Sequence, residues 1–343
     1  MKKKALFISS SFILILIISI FSFSSSEYSD SISVLKNLKE KYTIYAIPKP
    51  TKNIFFADER VPLENSDIWE RYDKELLKNT YWQSNTLLLY KRAAKYFPII
   101  EPILEKNNLP EDFKYLALIE SGLENVTSPK GAKGFWQFLK STAIEFNLEV
   151  NSEVDERYHI QKSTQAACDF LNSAKDKFGS WTLAAAAYNM GKSGLLEQMN
   201  RQKSFYYYDL LLNNETSRYV FRILAIKEII ENPKKYGFQF RSEDLYKNIP
   251  TYLVMVDTSI NSWADFSKNY GINYKILKLH NPWLRESYLK NKLNKKYFLE
   301  IPKKGNYFLQ NNTTQSVKVE KDKPKKIEKQ KKEVKKKIEK KPQ

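Results

Sequence analysis

Between residues 65 and 235 apolar side chains recur at three- and four-residue spacing and almost nothing alternates, which confines this stretch to an α-helical domain. "IWERYDKELLKNTYW" and "NTLLLYKRAAKYFPIIEPILEK" predict helices over 67–106. Ala167, Phe170, Leu171, Ala174 and Phe178 repeat at helical spacing behind Ser163, which can act as their cap. Ser180 can cap "WTLAAAAYNMG", closed by Gly191, and "ETSRYVFRILAIKEIIENP" continues helically to Pro233. With 343 residues, of which 42% are hydrophobic, the chain can bury one sizeable core and carry smaller pieces besides. No fixed-period repeat stands out.

One helical segment contains an anomaly. "NNLPEDFKYLALIESG" has Pro110 in its first turn, Glu111 and Asp112 at its positive end, and Gly122 just past its finish. Phe113, Leu116, Ala117 and Glu120 fall at i, i+3, i+4 and i+7, so a last-turn carboxylate shares the face that three apolar side chains would bury. Burial and the negative helix end both disfavour the charged form and raise the pKa. Such an acid can hold a proton near neutrality and give it to a glycosidic oxygen. The pattern alone allows equally a Glu that turns outward or pairs with a base such as Arg157. Nearby "GAKGFWQF" offers two glycines, an aromatic expected to be exposed, Trp136, and an amide, Gln137, a set suited to a sugar face and its substituents. "STAIE" can open a helix through a Thr142/Glu145 capping box. Six of the nine glycines lie between 122 and 194, where a chain so sparing of glycine would keep it for unusual backbone or close ligand approach.

Nearly half of the formal charge of +18 sits at one end: residues 318–341 hold thirteen lysines against five acids. Residues 305–343 therefore read as a disordered basic tail, able to meet acidic wall polymers or anionic headgroups. Nucleic acid is not an expected partner, since no aromatics interleave the tail. At the other end Lys2, Lys3 and Lys4 precede an apolar run from Ala5 to Phe21, the layout of an export signal or membrane anchor over residues 1–26. The run is long for a signal core and short for a helix crossing a hydrocarbon layer of about 30 Å. The single cysteine, Cys168, excludes an intrachain disulfide and reads as a buried thiol. His159 and His280, the only histidines, stand 121 residues apart without neighbouring ligands, so neither metal nor cofactor is expected.

In order and approximate spacing, "ALIESGLE", "GAKGFWQFLKST", "DER", "AAAAYNMG" and "ETSRYV" resemble lytic transglycosylases of the goose-lysozyme-like superfamily, most of all the membrane-bound murein transglycosylase D group. The segment beginning "FADERVPLENSDIWERY" is similar to the lead-in common in that group. The resemblance implies a mainly α chain with a lysozyme-like helical catalytic domain at 86–240, after a partly helical, loosely structured lead-in at 27–85. Within that lead-in it is residues 27 to about 63, of mixed pattern with scattered prolines, that read as loosely structured. The resemblance further implies that Glu120 is the catalytic acid and then base, and that Tyr188 can orient it. Ser121, Gly134, Trp136, Gln137 and Asn189 would line the glycan groove. Glu215 and Tyr219 would support the site, and Asp155 with Arg157 would form a salt-bridged loop clamp. Two departures, Phe138-Leu139-Lys140 without a proline and Tyr158-His159-Ile160 where Asp and Pro are frequent, bear on loop shape.

The implied enzyme is a lyase acting on peptidoglycan strands, cutting the β-1,4 bond between N-acetylmuramic acid and N-acetylglucosamine and leaving 1,6-anhydromuramic acid ends in cell-wall turnover. It would work on the periplasmic side of a bacterial envelope. One carboxylate suffices for that reaction, whereas most retaining and inverting hydrolases need two; Asp155 and Glu124 are the nearest candidates for a second. The alternatives are a lysozyme-type hydrolase of the same bond and a non-catalytic wall-binding protein. Farther on, "TYLVMVDTSI" and "KKYFLEIP" read as strands flanking the helical "SWADFSKNYG" and "NYKILKLHNPW". This small β/α module at 250–304 resembles a degenerate LysM-like, peptidoglycan-binding domain.

Overall fold

A computed structural model describes residues 44–309; the expected export segment at 1–26 and most of the basic tail lie outside them. A short hairpin, β1 (Phe55–Phe56) and β2 (Glu59–Arg60), precedes eight helices: α1 (Ser66–Tyr81), α2 (Gln83–Lys106), α3 (Phe113–Ser121), α4 (Lys140–Glu145), α5 (Ile160–Phe178), α6 (Trp181–Met190), α7 (Lys192–Gln202) and α8 (Asn214–Glu231). The chain is mainly helical, as its periodicity predicts. The paired helical segments at 67–106 are separated at Trp82, whose ψ of 60° breaks the first helix before the second begins.

At the centre lies α6, with Thr182 to Ala187 at most 3% exposed. Its four consecutive alanines present almost no bulk, so α5 and α8 pack directly against it. A helix apolar on all sides is stable only when covered on all sides. Ser180 caps α6 by accepting a hydrogen bond from the Leu183 amide at 3.3 Å. Ser163, by contrast, lies inside α5, which starts three residues earlier at Ile160, and it is buried. The Thr142/Glu145 capping box does not form either: α4 starts at Lys140 with no side-chain cap, because Leu139 occupies the capping position.

The described part of the lead-in, from residue 44 on, joins the helical core. Phe56, Val61 and Leu63 are buried in the same core as the helices, and that core runs without interruption to Phe238. Helix α1 packs on α8, so residue 86 marks no break in packing. Phe56 meets Phe113 edge-on at 5.4 Å, and Phe113 meets Trp181 at 5.3 Å, tying hairpin, α3 and α6 together. Burying a side chain of this size contributes about 1.5–3 kcal/mol.

Glu59 completes the tie. Its carboxylate accepts from the amides of Trp181 and Thr182 at 2.6 and 2.9 Å and from the hydroxyls of Ser180 and Thr182, both at 2.6 Å. It therefore satisfies donors that the start of α6 leaves free, at the positive end of the helix.

The second unit comprises β3 (Thr251–Val256), α9 (Trp263–Lys268), α10 (Tyr274–His280) and β4 (Tyr297–Pro302), with the strands antiparallel in the register Thr251↔Pro302. Its core includes Trp263 and Trp283, both buried, and also takes in Val154 and Tyr158 from the helical domain. The backbones join directly: the Asp155 amide donates to the Trp283 carbonyl at 2.9 Å and the Arg285 amide to the Glu153 carbonyl at 2.8 Å.

Burial by itself pushes the Glu59 pKa up, but the hydrogen bonds from Ser180, Thr182 and Trp181 outweigh it and hold the carboxyl below its ordinary value. A depressed folded-state pKa means stabilisation that is present above the unfolded value of about 4 and lost as pH falls through the folded one. Glu59→Ala should therefore cost about 1–3 kcal/mol at neutral pH. Urea midpoints of the two proteins should converge on acidification; a gap that persists to the lowest pH would mean that the charge is not its source.

Candidate active site

Glu120 occupies the last turn of α3. Phe113, Leu116 and Ala117 on the same face are fully buried, while Glu120 keeps partial exposure. Gly122 then ends the helix with φ +62°, a left-handed conformation that reverses the chain, and its amide closes on the Leu118 carbonyl at 2.9 Å. The carboxylate is thus held at the edge of the core, at the negative end of a helix.

Two cavities, of about 720 and 490 Å³, adjoin it, and Glu120 and Glu215 line both. The acid consequently sits midway along an open cleft. The Tyr219 hydroxyl from α8 donates a short hydrogen bond to Glu120 Oε1. Burial pushes the Glu120 pKa above the ordinary carboxylate range; Tyr219 and the Arg222 cation draw it back in part, and Glu215 adds to the rise. Arg222 is anchored by donating to the Ile119 carbonyl at 2.7 Å.

The other residues singled out in the sequence divide into three groups. Ser121, Gln137, Asn189 and Glu215 do line the cleft. Ser121 Oγ donates to the Phe135 carbonyl at 2.8 Å, and Gln137 Nε2 to the Gly134 carbonyl at 2.7 Å. Asn189 Nδ2 donates to Glu215 Oε1 at 3.2 Å and its Oδ1 accepts from Thr216 at 2.8 Å, so α6 and α8 position each other's polar groups.

A second group is displaced from its expected place. Trp136 is fully buried, with its indole N–H donating to Thr164 at 2.9 Å, so it is a core residue and offers no face to a sugar. Gly134 is buried too, behind the cleft wall: a Cβ there would sit 1.9 Å from the Arg157 carbonyl oxygen, and its φ is +78°. Tyr188 lines the cleft, but its hydroxyl donates to the Trp136 carbonyl at 2.7 Å. The hydroxyl that orients Glu120 is that of Tyr219, and Tyr188 braces the loop before Gln137.

Asp155 and Arg157 form the third. The Arg157 guanidinium donates to both Asp155 oxygens, at 2.8 and 2.7 Å, and to the Phe138 carbonyl at 3.2 Å, all in a buried setting. This occupies the Asp155 carboxylate. Glu124 is taken by Arg92 at 2.6 Å. Neither candidate for a second carboxylate is therefore free, whereas the exposed Glu215 lines both cavities.

The cleft also has a wall that the motifs did not identify: Lys78, Trp82, Asn85, Arg92, Arg218 and Arg222. For α8 a signal existed, because Glu215, Tyr219 and Arg222 share one helical face at i, i+4 and i+7. For Trp82, 65% exposed at the junction of α1 and α2, none did.

Tyr219→Phe removes the bond that lowers the Glu120 pKa, so the carboxyl should titrate at still higher pH, with a stability loss of about 1 kcal/mol. Carbon-13 NMR of the labelled carboxyl checks this, and an unmoved titration would contradict the assigned contact. Gly134→Ala must push the Arg157 backbone aside, and thermal melts should show destabilisation of about 1–3 kcal/mol.

The sequence matches the transglycosylase SLT domain over residues 97–210 and the soluble lytic transglycosylase C-terminal LysM-like domain over 252–305. It is 30% identical over 232 residues to the membrane-bound lytic murein transglycosylase D of Escherichia coli, a match covering 66% of this chain and 50% of that protein. The chain thus spans about half the length of this curated relative. A protein of Alteromonas sp. named for tributyltin chloride resistance is 32% identical over 130 residues, covering 37% of this chain and 63% of that one. Among solved structures, an inactive mutant of the lytic transglycosylase Slt from Pseudomonas aeruginosa covers 45% of this chain and 26% of that chain at 18% identity. Its TM-score of 0.33 is too low to bear on fold or site. Glu120 and the loop behind it thus lie within the residues that match the transglycosylase SLT domain, the cleft residues Glu215, Tyr219 and Arg222 follow that match, and residues 252–305 match the LysM-like domain.

Proposed function

We propose that this chain is a peptidoglycan lytic transglycosylase. The observation that carries the reading is a single half-buried carboxylate, Glu120, with a raised pKa and a tyrosine hydroxyl on one oxygen, midway along an open cleft. Protonated Glu120 gives its proton to the oxygen between N-acetylmuramic acid and N-acetylglucosamine, and the C1–O bond breaks. The substrate's own N-acetyl group stabilises the positive charge left at C1. The Glu120 carboxylate then takes the proton of the muramoyl 6-hydroxyl as O6 bonds to C1. That step closes the 1,6-anhydro ring, restores the acid and consumes no water.

A lysozyme-type hydrolysis is the second reading, and Glu215 is what favours it. Its carboxylate shares both cavities with Glu120 and could direct a water to C1. The two readings differ in product, not in the first step.

In this proposal residues 86–240 hold the chemistry, supported by the hairpin and α1, while 250–304 bind glycan. The apolar run after Lys2 to Lys4 carries the chain to the periplasmic side of the envelope, as signal or anchor. The relative's description as membrane-bound is in keeping with that. Among the described residues no helix is long and apolar enough to cross a membrane.

Digestion of purified peptidoglycan followed by mass spectrometry should give muramic acid ends one water lighter than reducing ends. Reducing ends would establish the hydrolase and direct attention to Glu215; binding without cleavage would leave a wall-binding protein. Glu120→Gln should lower turnover by roughly 10²- to 10⁴-fold. The raised pKa adds a signed stability effect. An acid whose folded pKa lies above its unfolded value loses stabilisation as pH rises through the folded value. The uncharged glutamine avoids that loss, so the variant's melting temperature should gain on the wild type as pH increases.

A further inference from the structure

The helical domain and the small module enclose a third cavity, of about 500 Å³, which shares no lining residue with the two at Glu120. Its size lies within the roughly 300–1,000 Å³ of small-molecule sites, which favour domain interfaces. Both histidines line it, His159 from the helical side and His280 from α10. Folding has therefore brought together two residues that are 121 positions apart.

The chemistry of the lining is that of a recognition site. His159 stacks on Trp283 at 5.6 Å, and its buried Nδ1 has no hydrogen-bond partner among the described residues. His280 Nε2 lies 2.9 Å from the Tyr307 hydroxyl. Lys95 of α2 faces this pair closely enough for its charge, after burial, to depress the His280 pKa, and it rests over the Tyr96 ring at 4.8 Å. Opposite in character, Glu300 accepts from Gln161 at 2.8 Å across the junction of the two units. Empty protein cavities are apolar, whereas polar ones hold water or ligand. A cationic group, hydrogen-bonding acceptors and an aromatic ring converging from two units match a molecule that carries a carboxylate, amides and a ring.

We propose that this interdomain cavity binds a muropeptide: one N-acetylmuramic acid ring with its short acidic peptide. The ring packs against Tyr96, the peptide carboxylate meets Lys95 and the His280–Tyr307 pair, and Glu300 with Gln161 takes amide groups. The proposal deepens the peptidoglycan reading and rests on it. A wall fragment held here would keep the enzyme on its polymer while the cleft remains free for the strand being cut.

The test is calorimetric titration of the intact chain with N-acetylmuramoyl-L-alanyl-D-isoglutamine, which has no β-1,4 bond to cleave. Binding should be unchanged in Glu120→Gln and weakened at least about tenfold, or 1.4 kcal/mol, in Lys95→Glu. Tyr307→Ala, at the periphery of the module, should weaken it in the same sense and serves if Lys95→Glu perturbs folding. No binding, or equal binding by both cavity variants, overturns the proposal; so does binding that is lost on Trp82→Ala in the cleft instead. Because this probe reports no cleavage, a failure here is separate from a failure of the transglycosylase assignment, which product analysis decides.

Discussion

Keeping one carboxylate at the edge of an apolar core is the constraint on which this architecture depends. Glu120 ends a helix whose other residues on that face are fully buried, and no neighbour in sequence satisfies it. The group that does is Tyr219, 99 positions later and itself fully buried. For that hydroxyl to arrive, α8 must lie across α3, and α8 is held in turn by α1 and α6. An unpartnered buried acid would be costly. The long helices, the alanine-rich centre and the capped start of α6 together make a frame stiff enough to hold the pair.

The second dependence runs through the loops between α3 and α5. Gly122 turns the chain out of α3, and Gly134 lets it pass against the Arg157 backbone with no room for a side chain. Arg157 then binds Asp155 and the Phe138 carbonyl, which fixes the stretch carrying Gln137. The same turn is bonded through Asp155 to Trp283 of the LysM-like module. A buried pair of this type adds little net stability over an apolar replacement but is costly to break. Here it sets where the cleft wall ends and where the module docks.

Much of this was legible in the chain. The helical periodicity, the Ser180 cap, the two strands of the module and the misplaced polarity of Glu120 all depend on residues within a turn or two of one another. Local rules suffice for such features. Other features were not legible. Thr142 and Glu145 have the right spacing for a capping box, yet Leu139 takes the capping position. The lead-in reads as irregular because its hairpin is only two residues per strand, and its order comes from Phe56 and Glu59 reaching α3 and α6.

By itself, then, the sequence determined the helical class, the order of the elements and the presence of one acid out of keeping with its apolar neighbours. Tertiary structure alone decided which side of the cleft wall each aromatic faces. Trp136 went to Thr164 and the core, Trp82 stayed in the open, and the tyrosine that reached Glu120 was Tyr219 and not Tyr188. The reason is physical: periodicity states which residues can be buried together on one element, whereas partner and exposure are set by the elements that pack against it, over separations that no local pattern encodes.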